Sequence, residues 1–284
     1  MASNKDNKIG LFDSGLGGLT ILKAVAKDLP QYDYVFFGDT EHLPLGDKTE
    51  EEIYNYTKAG VEELFRRGCS LVIIACNTAS AETLRRLQDT FLAAEYPEHR
   101  VLGVIIPTIE ELTLSLPEQT GQVGGSTKAL LLATKRTVES RKYEKELEKH
   151  GSNIILHSVA TPELVPLIEA GKLEEAIGIA VAVIKEQIGK VGEINTVVLG
   201  CTHYTKLKDA LRQHFSGRAS LGRPSTLNIL SQDEIIPRKL ALYLENHPEI
   251  ESHLSRNSTR SIHFSSHRPD YDQTASELLG GVMI

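Results

Sequence analysis

Two of the chain's three cysteines sit in matching surroundings. Cys76 follows Val72-Ile73-Ile74-Ala75 and precedes Asn77-Thr78; Cys201 follows Val197-Val198-Leu199-Gly200 and precedes Thr202-His203. Each apolar run reads as a strand, and each polar pair as the start of a helix. A thiol at a helix N-terminus meets free backbone N–H groups and the positive end of the dipole, both of which favour thiolate. One cysteine so placed is ordinary packing. Two in equivalent places favour paired chemistry, with the sulfurs on opposite walls of one cleft. Rival chemistries fit less well. A hydrolase needs one nucleophile and leaves the second cysteine unexplained. A dithiol oxidoreductase keeps its pair in one local motif, and the usual cysteine zinc sites need C-x-x-C; the chain has neither. No metal site is expected. Cys69 reads as packing at the end of a helix.

Further polar residues gather at the ends of apolar runs. Asp13 and Ser14 precede Gly15, Gly17 and Gly18, but Thr20 breaks the G-x-G-x-x-G pattern of a dinucleotide loop. Backbone N–H groups in such a turn can still hold a carboxylate, and Asp13 is equally suited to cap a helix. His203 can exchange a proton with a thiol or orient a carboxylate; a capping role is the alternative. Thr134, Thr137 and Thr202 are hydroxyl donors or caps. Glu169 reads as a solvated position on a helix. The acidic run Glu50–Glu52 suits the start of the helix it opens and carries no assigned function.

The elements that position these residues alternate in the manner of a parallel α/β fold. Strands are expected at 8–12, 34–37, 71–75, 101–105, 128–133, 153–159 and 196–200. Helices are expected at 19–28, 50–67, 79–94, 140–150, 162–170 and 173–188, and 216–225 reads as an irregular loop. Several strands are apolar throughout, as expected where helices cover both faces of a sheet. A weak repeat relates the halves: strand-end sites at 13, 39 and 76 correspond to 134, 160 and 201, with offsets of 121, 121 and 125. Side-chain identity is poor, so the echo is topological. It implies two similar α/β lobes with ligands at the carboxyl ends of the strands, in the cleft between them.

Composition bounds the function. The formal net charge of −7 disfavours a nucleic-acid partner, which would select a basic face. No apolar run approaches the roughly 20 residues of a membrane helix, the N-terminus lacks a signal-peptide core, and three cysteines argue for a reducing compartment. The expectation is a cytoplasmic globular protein that acts on a small molecule.

Four segments, taken together, carry a resemblance: IGLFDSGLGGLT from Ile9, GDTEHLPLG from Gly38, VIIACNTA from Val72 and VVLGCTHY from Val197. They resemble the glutamate racemases of the cofactor-independent aspartate/glutamate racemase family, in order over residues 8 to 215. The resemblance implies two pseudo-symmetric α/β lobes, 1–104 plus 216–284 and 105–215, with the active site between them. It implies no cofactor, interconversion of L- and D-glutamate for peptidoglycan, and a homodimer. One thiolate removes the α-proton and the opposing thiol delivers another to the other face, Cys76 acting on the D isomer and Cys201 on the L isomer. By the same resemblance Asp13 assists Cys76, while His203 and Glu169 assist Cys201. Ser14, Pro44, Leu45, Gly46, Asn77, Thr78, Thr134, Thr137, Thr202 and His203 match substrate-holding positions, as does Asp13. The chain departs from the family at Leu45, where Tyr is usual, at Thr205 for Pro, at Thr161 for Cys, and in NILSQDEI, where an Asp-Ser pattern is usual. Leu45 is expected to widen the cleft or alter its closure. Aspartate turnover, or ligand binding without catalysis, are the alternative functions.

Overall fold

A computed structural model describes residues 7–115, 127–216, 219–220, 223–224, 227–266, 271, 273 and 275. In chain order the first elements are β1 (Lys8–Asp13), α1 (Leu19–Asp28), β2 (Tyr34–Gly38), α2 (Glu50–Arg66), β3 (Cys69–Ile74), α3 (Asn77–Arg86), α4 (Ala93–Glu95), β4 (Arg100–Gly103) and α5 (Ile105–Ser115). There follow β5 (Thr127–Ala133), α6 (Lys135–Ser140), α7 (Lys142–Lys149), β6 (Ile154–Ala160), α8 (Leu164–Glu169), α9 (Leu173–Val191), β7 (Thr196–Gly200) and α10 (Lys208–Phe215). Last come β8 (Ala219–Ser220), β9 (Arg223–Pro224), β10 (Asn228–Ser231), α11 (Gln232–Asn246), α12 (Pro248–Glu251) and β11 (Arg260–Phe264).

The chain forms two compact units, Met1–Ile105 with Asp233–Ile284, and Ile106–Gln232. The first holds a five-stranded parallel sheet in the order β11-β2-β1-β3-β4, the second a four-stranded parallel sheet in the order β10-β7-β5-β6. In each unit the first strand lies between the second and third, and a fourth flanks the third. The offsets in the sequence therefore reflect a repeated topology, with β11 added at one edge.

Alternation along the strands explains the layers. Ile9, Leu11, Tyr34, Phe36, Leu71 and Ile73 point to one face of the first sheet, where α1 and α11 pack. Phe12, Val35, Val72 and Ile74 point to the other, under α2 and α3. Both faces are covered, so the strands are apolar at successive positions rather than at alternate ones. In the second unit Leu130, Leu132, Val197 and Leu199 pack with α8, α9 and α10. The acidic start of α2 does more than suit a dipole. Thr49 and Glu52 form a reciprocal capping box, the Thr49 side chain accepting from the Glu52 N–H and Glu52 accepting from the Thr49 N–H.

Several boundaries differ from the sequence expectation. Segment 216–232 does not return to the first unit: β10 hydrogen-bonds along β7, and the return begins at Asp233. The strand expected at 101–105 ends at Gly103, and Ile105 already opens a helix. The helix expected at 79–94 begins at Asn77 and passes through a π-type stretch, Leu87–Leu92. The helix expected at 140–150 is divided at Arg141, which adopts φ 52°, after Ser140 Oγ accepts the Lys142 N–H. Cys69 opens β3 rather than ending a helix. Within 216–225, Ala219–Ser220 and Arg223–Pro224 pair as a short antiparallel ladder; the remaining positions of that expected loop, Ser216 apart, lie outside the described residues.

Candidate active site

The polar residues singled out from the sequence form one cluster at the carboxyl edge of each sheet. In the first unit, β1 ends on Asp13, whose Oδ1 accepts the Gly15 N–H at 2.9 Å. Asp13 is buried and is not the cap of α1; Gly18 occupies that position. A Cβ at Gly18 would lie 2.6 Å from Asp13 Cβ and 2.9 Å from its Oδ2. The glycines after Asp13 thus include one that makes room for its carboxylate, in a turn that is no nucleotide loop.

Ser14, next along, places its hydroxyl 3.3 Å from Cys76 Sγ. Cys76 stands two residues beyond β3, in the N-cap position of α3, and makes no side-chain capping bond. Its sulfur is therefore not engaged in capping the helix it precedes. Asn77 and Thr78, the first residues of α3, are buried beside it. Leu45 lies on the same side of the first sheet as Cys76. Its side chain is 2 % exposed and belongs to the apolar cluster that also contains Phe12, Ile53 and Cys76.

In the second unit, Cys201 directly follows β7 and precedes a 3₁₀ helix, Thr202–Leu207, that leads into α10. The expected α-helical N-terminus is thus a tighter turn here. His203 Nδ1 lies 3.8 Å from Cys201 Sγ, and its Nε2 lies 2.9 Å from Glu169 Oε1 at the end of α8. Glu169 is exposed, as the residue pattern implies, and its carboxylate also meets His203. Thr134 caps α6 by accepting the Thr137 N–H, and its hydroxyl lies 2.9 Å from that of the buried Thr137. Thr202 is buried beside Cys201 in sequence.

Three residues near Cys201 carry no signal in the sequence reading. Tyr143 and Tyr204 are fully buried, and burial pushes both phenols upward, with the neighbouring Cys201 sulfur adding to the effect. Gln232 Nε2 donates to Thr108 Oγ1 at 3.2 Å and Tyr143 Oη at 3.3 Å. Tyr204 Oη donates to the Thr161 carbonyl at 2.8 Å. A buried polar residue one step past a strand, such as Gln232 after β10, is the cue that would have found this group. Cys69 differs from the other two thiols: burial pushes it up to about 12, and it packs under Gly10. Among the described residues no group of three or more His, Cys, Asp or Glu is arranged to hold a metal ion.

Two buried thiols thus stand at corresponding strand ends, one beside a hydroxyl and the other beside a His–carboxylate pair. The Asp/Glu/Hydantoin racemase family model matches residues 20–224. The chain belongs to that family. It is 37 % identical over 248 residues to a glutamate racemase of Ruegeria sp. (strain TM1040), covering 85 % of this chain and 87 % of that one. A glutamate racemase of Caulobacter sp. (strain K31) is 37 % identical over 260 residues, covering 86 % and 87 %. The crystal structure of a Bacillus anthracis glutamate racemase superposes with a TM-score of 0.77 at 25 % identity, covering 98 % of this chain and 96 % of that one. As a member of this racemase family the chain is an isomerase. Among the described residues no helix is long and apolar enough to cross a membrane.

Proposed function

We propose that this racemase interconverts L- and D-glutamate with Cys76 and Cys201 as its two bases. The carrying observation is that each sheet ends, after its third strand, in a buried cysteine with its own proton-handling neighbour. From L-glutamate, the Cys201 thiolate takes the α-proton and the Cys76 thiol gives its proton to the opposite face. The roles reverse from D-glutamate. Each turnover therefore leaves the two sulfurs with exchanged protonation, and nothing is oxidised or reduced. His203, held by Glu169, orients the Cys201 proton; Ser14 and Asp13 do the same for Cys76.

The carbanionic character that develops at the α-carbon needs donors around the substrate carboxylate. Asn77 and Thr78 in one cluster, and Thr134, Thr137 and Thr202 in the other, supply side chains of that type, and backbone N–H groups of the Ser14–Gly18 turn add to them; the Pro44-Leu45-Gly46 turn holds the substrate equally in both states, through the N–H groups of Leu45 and Gly46. The names of the relatives support glutamate as the substrate. The product serves peptidoglycan synthesis in the cytoplasm, and the working form is a homodimer.

The test is incubation of each enantiomer in deuterium oxide, with circular dichroism and α-proton NMR. L- and D-glutamate should each give the other isomer with deuterium at the α-carbon, and aspartate should turn over far more slowly. Cys76→Ser and Cys201→Ser should each lose racemisation by at least about a hundredfold while staying folded. Full activity in either variant refutes the two-base scheme, and binding of glutamate without exchange makes the chain a binder.

A further inference from the structure

The loop between β2 and α2 is held by a clamp that its substrate-facing residues do not account for. His42 Nδ1 lies 2.8 Å from Asp39 Oδ1 and 2.9 Å from Oδ2. A carboxylate accepts, so Nδ1 carries the hydrogen and the ring is fixed by both oxygens. The same ring lies flat on Tyr56 of α2, with centroids 3.7 Å apart and planes 13° from parallel. Asp39 is itself buried, and its N–H donates to the Asp13 carbonyl at 2.9 Å. The clamp thus runs from the end of β1, beside Ser14 and Cys76, across the loop to α2.

A second attachment comes from the two residues that follow β11. Ser266 Oγ lies 2.8 Å from Thr40 Oγ1, Ser265 Oγ accepts the Glu41 N–H at 2.9 Å, and the Ser265 N–H donates to the Gly38 carbonyl at 3.0 Å. Between these anchors and the capped start of α2 lies Pro44-Leu45-Gly46, with Leu45 sunk into the core.

We infer that His42, clamped by Asp39 and Tyr56, is a positioning residue that sets the affinity of this racemase for its substrate by fixing the Pro44-Leu45-Gly46 turn. The inference rests on the assignment of that turn to substrate binding under the proposed function. A residue that fixes a binding turn acts on ground state and transition state alike, so its loss raises KM and spares kcat.

The test is steady-state racemisation of both glutamate enantiomers by the full chain and by His42→Ala, Tyr56→Phe and Tyr56→Leu. His42→Ala and Tyr56→Leu should each raise KM in both directions by about tenfold with kcat within about threefold. Tyr56→Phe keeps the ring and should keep KM within about twofold. An unchanged KM in a folded His42→Ala chain overturns the inference, as does a loss confined to kcat. If His42→Ala does not fold, the Tyr56 pair decides: equal KM values for Phe and Leu overturn it, and a raised KM for Leu alone supports it. A wild-type chain that exchanges no α-proton fails the proposed function instead, so the two failures are distinguishable.

Discussion

Asp33 should be a main acid-sensitive tie of the first unit. It precedes β2 and is 1 % exposed, and its carboxylate accepts from the backbone N–H groups of Asn257 and Thr259, from Asn257 Nδ2 at 2.8 Å and from Thr259 Oγ1 at 2.7 Å. These donors lie on the segment that leads into β11, so one side chain fixes the edge strand to the sheet. Burial alone would raise its pKa, but the hydrogen bonds from the 255–259 segment outweigh it and hold the carboxyl well below the usual range. Asp33→Ala leaves four donors without their acceptor. At about 1–3 kcal/mol for each stranded group, reduced because water reaches some of them once the segment loosens, the cost is about 3–5 kcal/mol. Asp33→Asn keeps the shape but sets an amide NH₂ among donors, and should cost about 2 kcal/mol. The sign of the pH effect comes from the lowered folded-state pKa. The wild-type advantage is complete above an unfolded-state value of about 3.9 and fades as pH falls through it, by about 1 kcal/mol at pH 3. The assay is urea denaturation from pH 3 to 7, with hydrogen exchange of the 255–266 segment read by mass spectrometry. Asp33→Asn should lose the part of the acid slope that Asp33 supplies, and both variants should expose β11 first. A cost below about 0.5 kcal/mol for Asp33→Ala, or an unchanged slope in Asp33→Asn, refutes this reasoning.

Two other substitutions or probes test the site more locally. Gly18→Ala would drive a methyl against Asp13 Cβ and Oδ2, at 2.6 and 2.9 Å; kcat/KM for glutamate should fall at least about tenfold at a stability cost of about 1–3 kcal/mol, and activity within twofold of wild type would show that Asp13 can yield. Native iodoacetamide labelling at pH 8, read by peptide mass spectrometry, should leave Cys69 unmodified until the chain is unfolded. With its thiol pushed up to about 12, only about one molecule in ten thousand is thiolate there, and labelling as fast as in the unfolded chain would contradict that environment.

Much of the fold is legible because the strands of a sheet covered on both sides are unbroken apolar runs. Val72–Ala75 and Val197–Gly200 announce themselves, and a polar residue just beyond such a run stands at the carboxyl edge of the sheet. That logic finds Asp13, Cys76 and Cys201 without any knowledge of packing. It fails where an element draws its identity from a distant partner. Asn228–Ser231 is only four residues long and becomes a strand by pairing with Thr196–Leu199, so a boundary near 216 comes too early. Glu169 and His203 stand 34 positions apart, and only the approach of α8 to the turn after β7 joins them. The burial of Leu45 is likewise set by distant partners, Phe12 and Ile53 among them, that no local pattern around Pro44-Leu45-Gly46 announces.

The two thiols have unequal neighbours on nearly equal scaffolds, and thermodynamics limits what that inequality can do under the two-base scheme. Enantiomers have the same free energy in achiral water, so the equilibrium constant is one and kcat/KM must be the same in both directions. Replacing a hydroxyl at 3.3 Å by a His–Glu pair can therefore never favour one direction of net conversion. It can make KM and kcat differ together, so that the direction with the higher kcat has the weaker apparent affinity. The Cys201 cluster has a polarisable ring braced by a carboxylate; the Cys76 cluster has Ser14 and a buried aspartate fitted over Gly18. Under the two-base scheme, weakening the Glu169–His203 contact moves kcat and KM for L-glutamate, the isomer whose proton Cys201 takes, against those for D-glutamate. The ratio kcat/KM remains matched between the two, a constraint that any measured set of four constants must obey.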